Sequence, residues 1–126
     1  MDEDRAALIA WLAESETNRQ AFVQEHVRGI KAQIRHLREQ RGWSQRRLAN
    51  AAGLHTRTIL SAEDDRAKLP SIQALKAIAR AFDVALDIRF MAFSAALGLP
   101  GVTAGVPSWE EEVAAGVFEG AGVETD

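Results

Sequence analysis

Apolar residues recur at intervals of three and four through the first two thirds of the chain, then alternate, then lose regular spacing. Residues 4–14 open the helical pattern. Leu8, Ile9, Trp11 and Leu12 share one face there, and the acids at the start suit the positive end of a helix dipole. Ser15-Glu16 breaks the run, and Thr17 with Gln20 three residues later forms a capping-box signature for a second helix. Phe22, Val23, Val27, Ile30, Ile34 and Leu37 then step by threes and fours, which predicts a long helix to about Arg41. Gly29 inside it costs roughly 1 kcal/mol relative to Ala, and Gly42 stands where the helix should stop. Three shorter helices are expected next. The first runs over 45–52, capped by Ser44, with Leu48 and Ala49 inward and Gly53 at its end. The second follows Leu54, over about 55–63. After a charged loop over 64–70 ending in Pro70, Ser71 caps a third with Ile72, Leu75, Ile78, Ala79 and Phe82 on its buried face.

From Val84 the period becomes two. Val84, Leu86, Ile88 and Phe90 alternate with Ala85, Asp87, Arg89 and Met91, the pattern of a β-strand. A single strand after an all-helical run has no partner in its own chain, and its open edge is a liability. Pairing with the same strand of a second subunit is therefore expected. Residues 94–126 hold six of the nine glycines, two of the three prolines and no Lys or Arg, which predicts a mobile acidic tail. Inside it Ser108-Trp109-Glu110-Glu111 is another capping box. Trp109, Val113 and Val117 at i, i+4, i+8 fit a short amphipathic helix that could anchor a protein partner.

Charge sharpens this division. The net value of −3 conceals a basic middle: residues 28–68 carry ten bases against four acids, whereas residues 1–16 sum to −4 and 94–126 to −6. Such a middle suits a polyanion, although a solvated helix face explains the charge equally well. The absence of Cys removes disulfides, thiolate metal sites and cysteine nucleophiles from consideration. The acidic N-terminus and the lack of any long apolar run point to a soluble, cytoplasmic chain without a membrane partner.

The informative stretch is Ser44-Gln45-Arg46-Arg47-Leu48-Ala49-Asn50-Ala51-Ala52-Gly53-Leu54-His55-Thr56-Arg57-Thr58-Ile59. Two short helices joined at a glycine suit a helix-turn-helix. Ala49 is small where the helices cross, Gly53 can take positive φ, and Leu48, Leu54 and Ile59 seal the pair. From Ile30 to Val84 the chain resembles the Xre family of helix-turn-helix regulators, which includes Cro and phage-repressor domains. Ile34-Arg35-His36-Leu37-Arg38, Gly42-Trp43-Ser44-Gln45, Glu63, Pro70-Ser71 and Phe82-Asp83-Val84 carry the likeness together with the stretch just quoted. The resemblance implies that Gln45 bonds a DNA phosphate and buttresses the recognition helix. It also implies that Thr56, Arg57 and Ser61 face base edges, that Leu60 touches a thymine methyl, and that Arg38 and Glu63 pair internally. Arg35, Arg46, Arg47 and His55 complete the expected DNA-binding set, the two adjacent arginines as phosphate contacts. His55 stands where the family usually has a Ser or Thr cap, and the loop Asp64-Asp65-Arg66 is more acidic than usual.

His26, His36 and His55 lack metal-ligand spacing, and no Ser has a His–Asp arrangement, so neither a metal, a cofactor nor an enzyme is expected. The fold class expected is mainly α: a five-helix repressor-like domain with an extended N-terminal helical region and one C-terminal dimerising strand. Its divisions are a helical extension over 1–27, the helix-turn-helix domain over 28–83, the strand over 84–93 and the tail over 94–126. The function expected is a dimeric, sequence-specific DNA-binding regulator, a repressor acting at a double-stranded operator. The alternative is an antitoxin that autoregulates its operon and neutralises a toxin through its tail, for which a co-transcribed toxin gene would be the discriminating observation. A protein-binding adaptor that has lost DNA binding is a third reading.

Overall fold

The computed structural model describes residues 2–101 and 105–123. Among them no helix is long and apolar enough to cross a membrane. Seven α-helices form: α1 (Glu3–Glu14), α2 (Glu16–Gln40), α3 (Gln45–Ala52), α4 (Thr56–Glu63), α5 (Ile72–Phe82), α6 (Phe93–Ala96) and α7 (Trp109–Ala114), followed by a 3-10 turn over Glu119–Ala121. Polar caps set their starts. Asp2, Ser44, Ser71 and Ser108 each accept a hydrogen bond from a first-turn backbone N–H. The second helix begins earlier than the Thr17–Gln20 signature predicts, because Ser15 Oγ accepts from the Asn18 N–H at 3.0 Å and serves as the cap. Ser108 and Glu111 form a reciprocal capping box.

The chain divides into two compact units, residues 24–87 and the described residues of 1–23 with 88–126. In the first, Ile34, Leu48, Ala49, Ile59, Ala62, Ile78 and Phe82 make a core contributed by α2, α3, α4 and α5. Trp43, Leu37, Leu54 and Leu75 pack around it, and the Trp43 ring stacks on Phe82 with centroids 5.8 Å apart. Two turns depend on left-handed backbone. Gly53 (φ 68°) ends α3 and lets the Leu54 N–H reach back to the Ala49 carbonyl at 2.9 Å. Asp83, the one non-glycine residue with positive φ (59°) among those described, ends α5 in the same way, with the Val84 N–H on Ala79 O at 3.0 Å.

Two expectations for residues 84–126 are corrected. The segment expected to be a mobile tail is folded where it is described. Leu97, Trp109 and Phe118 close a core with Ile9 and Leu12 of α1, and Phe22, Phe93, Val113 and Val117 pack against it. Trp109 stacks on Phe118 at 4.4 Å, meets Phe93 edge to face at 5.6 Å, and carries the Arg19 guanidinium over its ring at 5.3 Å. At 8% exposure most of its surface is spent on this core, and Val113 and Val117 are half-buried beside it. The partner-binding role drawn from a free tail therefore loses its physical basis. Buried Glu112 accepts from the Ser94 N–H at 3.1 Å, joining α7 to α6 by a polar contact as well. Residues 102–104 and 124–126 of the expected tail lie outside the described residues.

The expected strand is also absent. Val84, Leu86, Ile88 and Phe90 lie in a stretch with no ladder, and no strand forms among the described residues. Alternation favours extended backbone, but a strand exists only with a hydrogen-bonded neighbour, and this segment meets none. Leu86 alone of the four is half-buried, and Phe90 is 94% exposed.

The second core yields the first prediction. Phe118→Ala should destabilise the unit holding α1 and α7 by about 3–5 kcal/mol. In amide hydrogen exchange, α1 and α7 should lose protection while α3, α4 and α5 retain theirs.

Candidate nucleic-acid interface

The α3–turn–α4 pair is held from behind by polar ties to α2. Arg38 Nε donates to Glu63 Oε2 at 2.7 Å and its second terminal nitrogen to Glu63 Oε1 at 2.9 Å, a bidentate pair at the last residue of α4. The remaining guanidinium nitrogen donates to the Trp43 carbonyl at 2.9 Å, just before α3. Gln45 Nε2 reaches Glu63 Oε1 at 3.4 Å, so Gln45 abuts the end of α4 through this carboxylate. The charge-assisted bond to Glu63 raises the Arg38 pKa further above its ordinary value.

Other bases are also tied to backbone carbonyls. Arg41 donates to the carbonyls of Leu37 (3.0 Å) and Phe82 (2.9 Å) and lies 4.8 Å over the Phe82 ring. Arg80 donates to the Ala52 carbonyl at the end of α3, at 3.1 Å. Lys31 is fully buried, its Nζ donating to the carbonyls of Ser61 and Lys68. Counting charge along the chain treated these residues as solvated. The signal available was position: residues 31, 34 and 38 step by three and four along one face of α2, and Arg41 follows at the next step just past its end, which sets three bases in line with buried Ile34.

The outer face retains the rest. Arg46 and Arg47 are exposed on α3, and the Arg47 guanidinium lies 5.0 Å over the Trp43 ring, which limits its rotamers. On α4, Arg57, Leu60 and Ser61 are exposed at i, i+3, i+4 while Ile59, Ala62 and Glu63 are buried. Thr56 and Gln45 are half-buried, and Arg35 is exposed on α2. His55 caps α4, its Nδ1 accepting from the Arg57 N–H at 3.1 Å. An accepting Nδ1 places the proton of the neutral ring on Nε2, leaving one N–H donor at the start of the helix. In the following loop Asp64 Oδ1 accepts from the Arg66 N–H at 3.0 Å and Arg66 Nε at 3.3 Å, which lowers its pKa below the ordinary 3.8. That carboxylate is engaged locally. Residues 24–87 carry twelve Lys and Arg against seven Asp and Glu, whereas the remaining residues carry three against eleven, so the units differ in sign, +5 and −8.

Two short helices crossed at a left-handed glycine, a sealed inner face and a cationic outer face define a DNA-binding helix-turn-helix. Residues 34–88 match the helix-turn-helix family model, and this segment is similar to the Xre/Cro-type domains of DNA-binding transcription regulators. The match leaves residues 1–33 and 89–126 outside it. No curated protein and no solved structure matches the chain.

Two outcomes follow from the buried charges. Glu63→Gln leaves the Arg38 guanidinium without its counter-charge and should cost about 3–5 kcal/mol in urea denaturation. Arg38→Met combined with Glu63→Leu should recover most of that stability, because no uncompensated charge remains. Burial lowers the Lys31 pKa below 10.5; Arg28 adds to the shift, while Asp64 and Asp65 oppose it. Between the two values the unfolded chain binds more protons than the folded one, so stability should rise with pH through that window. The chain has no Tyr or Cys to titrate alongside, and Lys31→Met should abolish the rise.

Proposed function

We propose that the chain is a sequence-specific regulator that lays α4 in the major groove of an operator and represses by occupying it. The observation carrying this reading is the segregation on α4: Arg57, Leu60 and Ser61 project outward while the opposite face is sealed into the core. In this geometry residues near the N-terminus of the second helix meet base edges. Arg57 has the planar, two-pronged donor set that guanine O6 and N7 accept, Ser61 donates or accepts, and Leu60 offers apolar contact to a thymine methyl. Thr56 and His55, at the helix start, add hydroxyl and N–H donors. Arg46 and Arg47 on α3, Gln45 at its first residue and Arg35 on α2 serve the phosphate backbone.

Reading as a homodimer adds a second half-site and its specificity. The exposed apolar side chains of Val84, Ile88, Phe90 and Met91 support an association of this kind, since a second copy would remove them from water. Phe90→Ser should then shift the sedimentation of a dimer towards the monomer at micromolar concentration.

Arg57→Ala and Arg47→Ala test the assignment of roles. Arg57→Ala should cost about 1–3 kcal/mol on the preferred site and relax its base preference. Arg47→Ala should weaken binding to all duplexes alike and flatten the slope of log affinity against log salt by about one unit for each phosphate it no longer neutralises. Equal weakening on preferred and random DNA for both variants would remove Arg57 as a reader.

A further inference from the structure

Lys31 is 0% exposed and stands on the inward stripe of α2. Its Nζ donates to Ser61 O at 2.8 Å and to Lys68 O at 2.6 Å, bonds that close 30 and 37 residues of sequence onto one ammonium. Ser61 lies in the last turn of α4, where carbonyls run out of partners within the helix. A cation there also meets the negative end of the helix dipole. Lys68 lies in the loop after α4, which is tied locally by the Ala67 N–H on Asp64 O and the Arg66 N–H on Asp64 Oδ1, both at 3.0 Å. Lys31 therefore fixes the end of α4 and the far side of its loop to a common point on α2.

Stability alone does not call for a charge at this place. An apolar side chain of similar length fills the same space without the desolvation cost of an ammonium, against which stands the loss of one donor to each of two carbonyls. What the ammonium adds is geometry, because its donors demand both carbonyls at once. We infer that Lys31 is a positioning residue for DNA reading: by clamping Ser61 and Lys68 it sets the angle at which α4 presents Arg57 and Ser61 to base edges. The inference rests on the DNA reading proposed above and deepens it. It assigns discrimination between sequences partly to a side chain that touches no DNA.

The test uses the full chain as wild type, Lys31→Met, and Ile78→Val as a core variant that leaves the clamp intact. Affinities for a selected duplex and for random duplex are measured at a temperature where all three are folded. Exchange of the Asp64, Arg66 and Ala67 amides is followed without DNA. Lys31→Met should lower the selected-to-random ratio by about tenfold and speed exchange of those amides, while Ile78→Val changes neither. A site-preferring wild type whose ratio survives Lys31→Met overturns this inference alone, as does unchanged amide exchange in that variant. A wild type with no site preference overturns the DNA reading and this inference with it, whatever the exchange rates. Should Lys31→Met fail to fold, Lys31→Gln, which keeps a shorter neutral donor, is held to the same two readouts.

Discussion

The bidentate pair between Arg38 and Glu63 is the contact on which the helix-turn-helix is assembled. One guanidinium holds the last residue of α4 with two nitrogens and the Trp43 carbonyl before α3 with the third, so a single side chain on α2 positions both helices of the motif. Gln45 joins the same carboxylate from α3. Buried charge is stable only when paired in this way, and removal of either partner leaves the other without its counter-charge. Lys31 repeats the device two turns earlier on α2, with carbonyls in place of a carboxylate. The apolar core of Leu48, Ile59 and Phe82 gives the domain its stability, whereas these polar ties fix the angles within it.

Two cores of opposite charge share the chain. The residues from 24 to 87 are basic and carry the family's domain, while the others are acidic and bury Trp109 and Phe118 against α1. Acids repel phosphate and bases attract it, so the two units differ in their attraction for a polyanion. Net charge near zero for a DNA-binding chain is then no contradiction. It is the sum of two units of opposite sign.

The helices of the basic unit were legible because each joins a strong start signal to an apolar stripe: Ser44 before Leu48 and Ala49, or Ser71 before Leu75 and Ile78. The acidic segment escaped sequence reasoning for a physical reason. Leu97, Trp109 and Phe118 reach one core through turns at Gly98 and Gly116, both with positive φ, so their spacing follows no helical or strand period. Composition therefore suggested disorder where tight turns were at work. Alternation over Val84–Phe90 likewise expressed the backbone tendency without the neighbour that a strand requires. Among site residues, the set expected on α3 and α4 came from the family resemblance. Lys31, Arg41 and Arg80 were hidden because a charge count cannot tell a base tied to backbone carbonyls from a free one.

Selection of bound duplexes from a random pool tests the central claim most directly, that the outer face of α4 reads sequence. One short motif should be enriched, with protection of its major-groove edges and no remaining preference at one base position when Arg57 is truncated. A pool that stays random through successive rounds, while binding persists and weakens steeply with salt, would contradict it. The interface would then be a phosphate-binding surface without base readout.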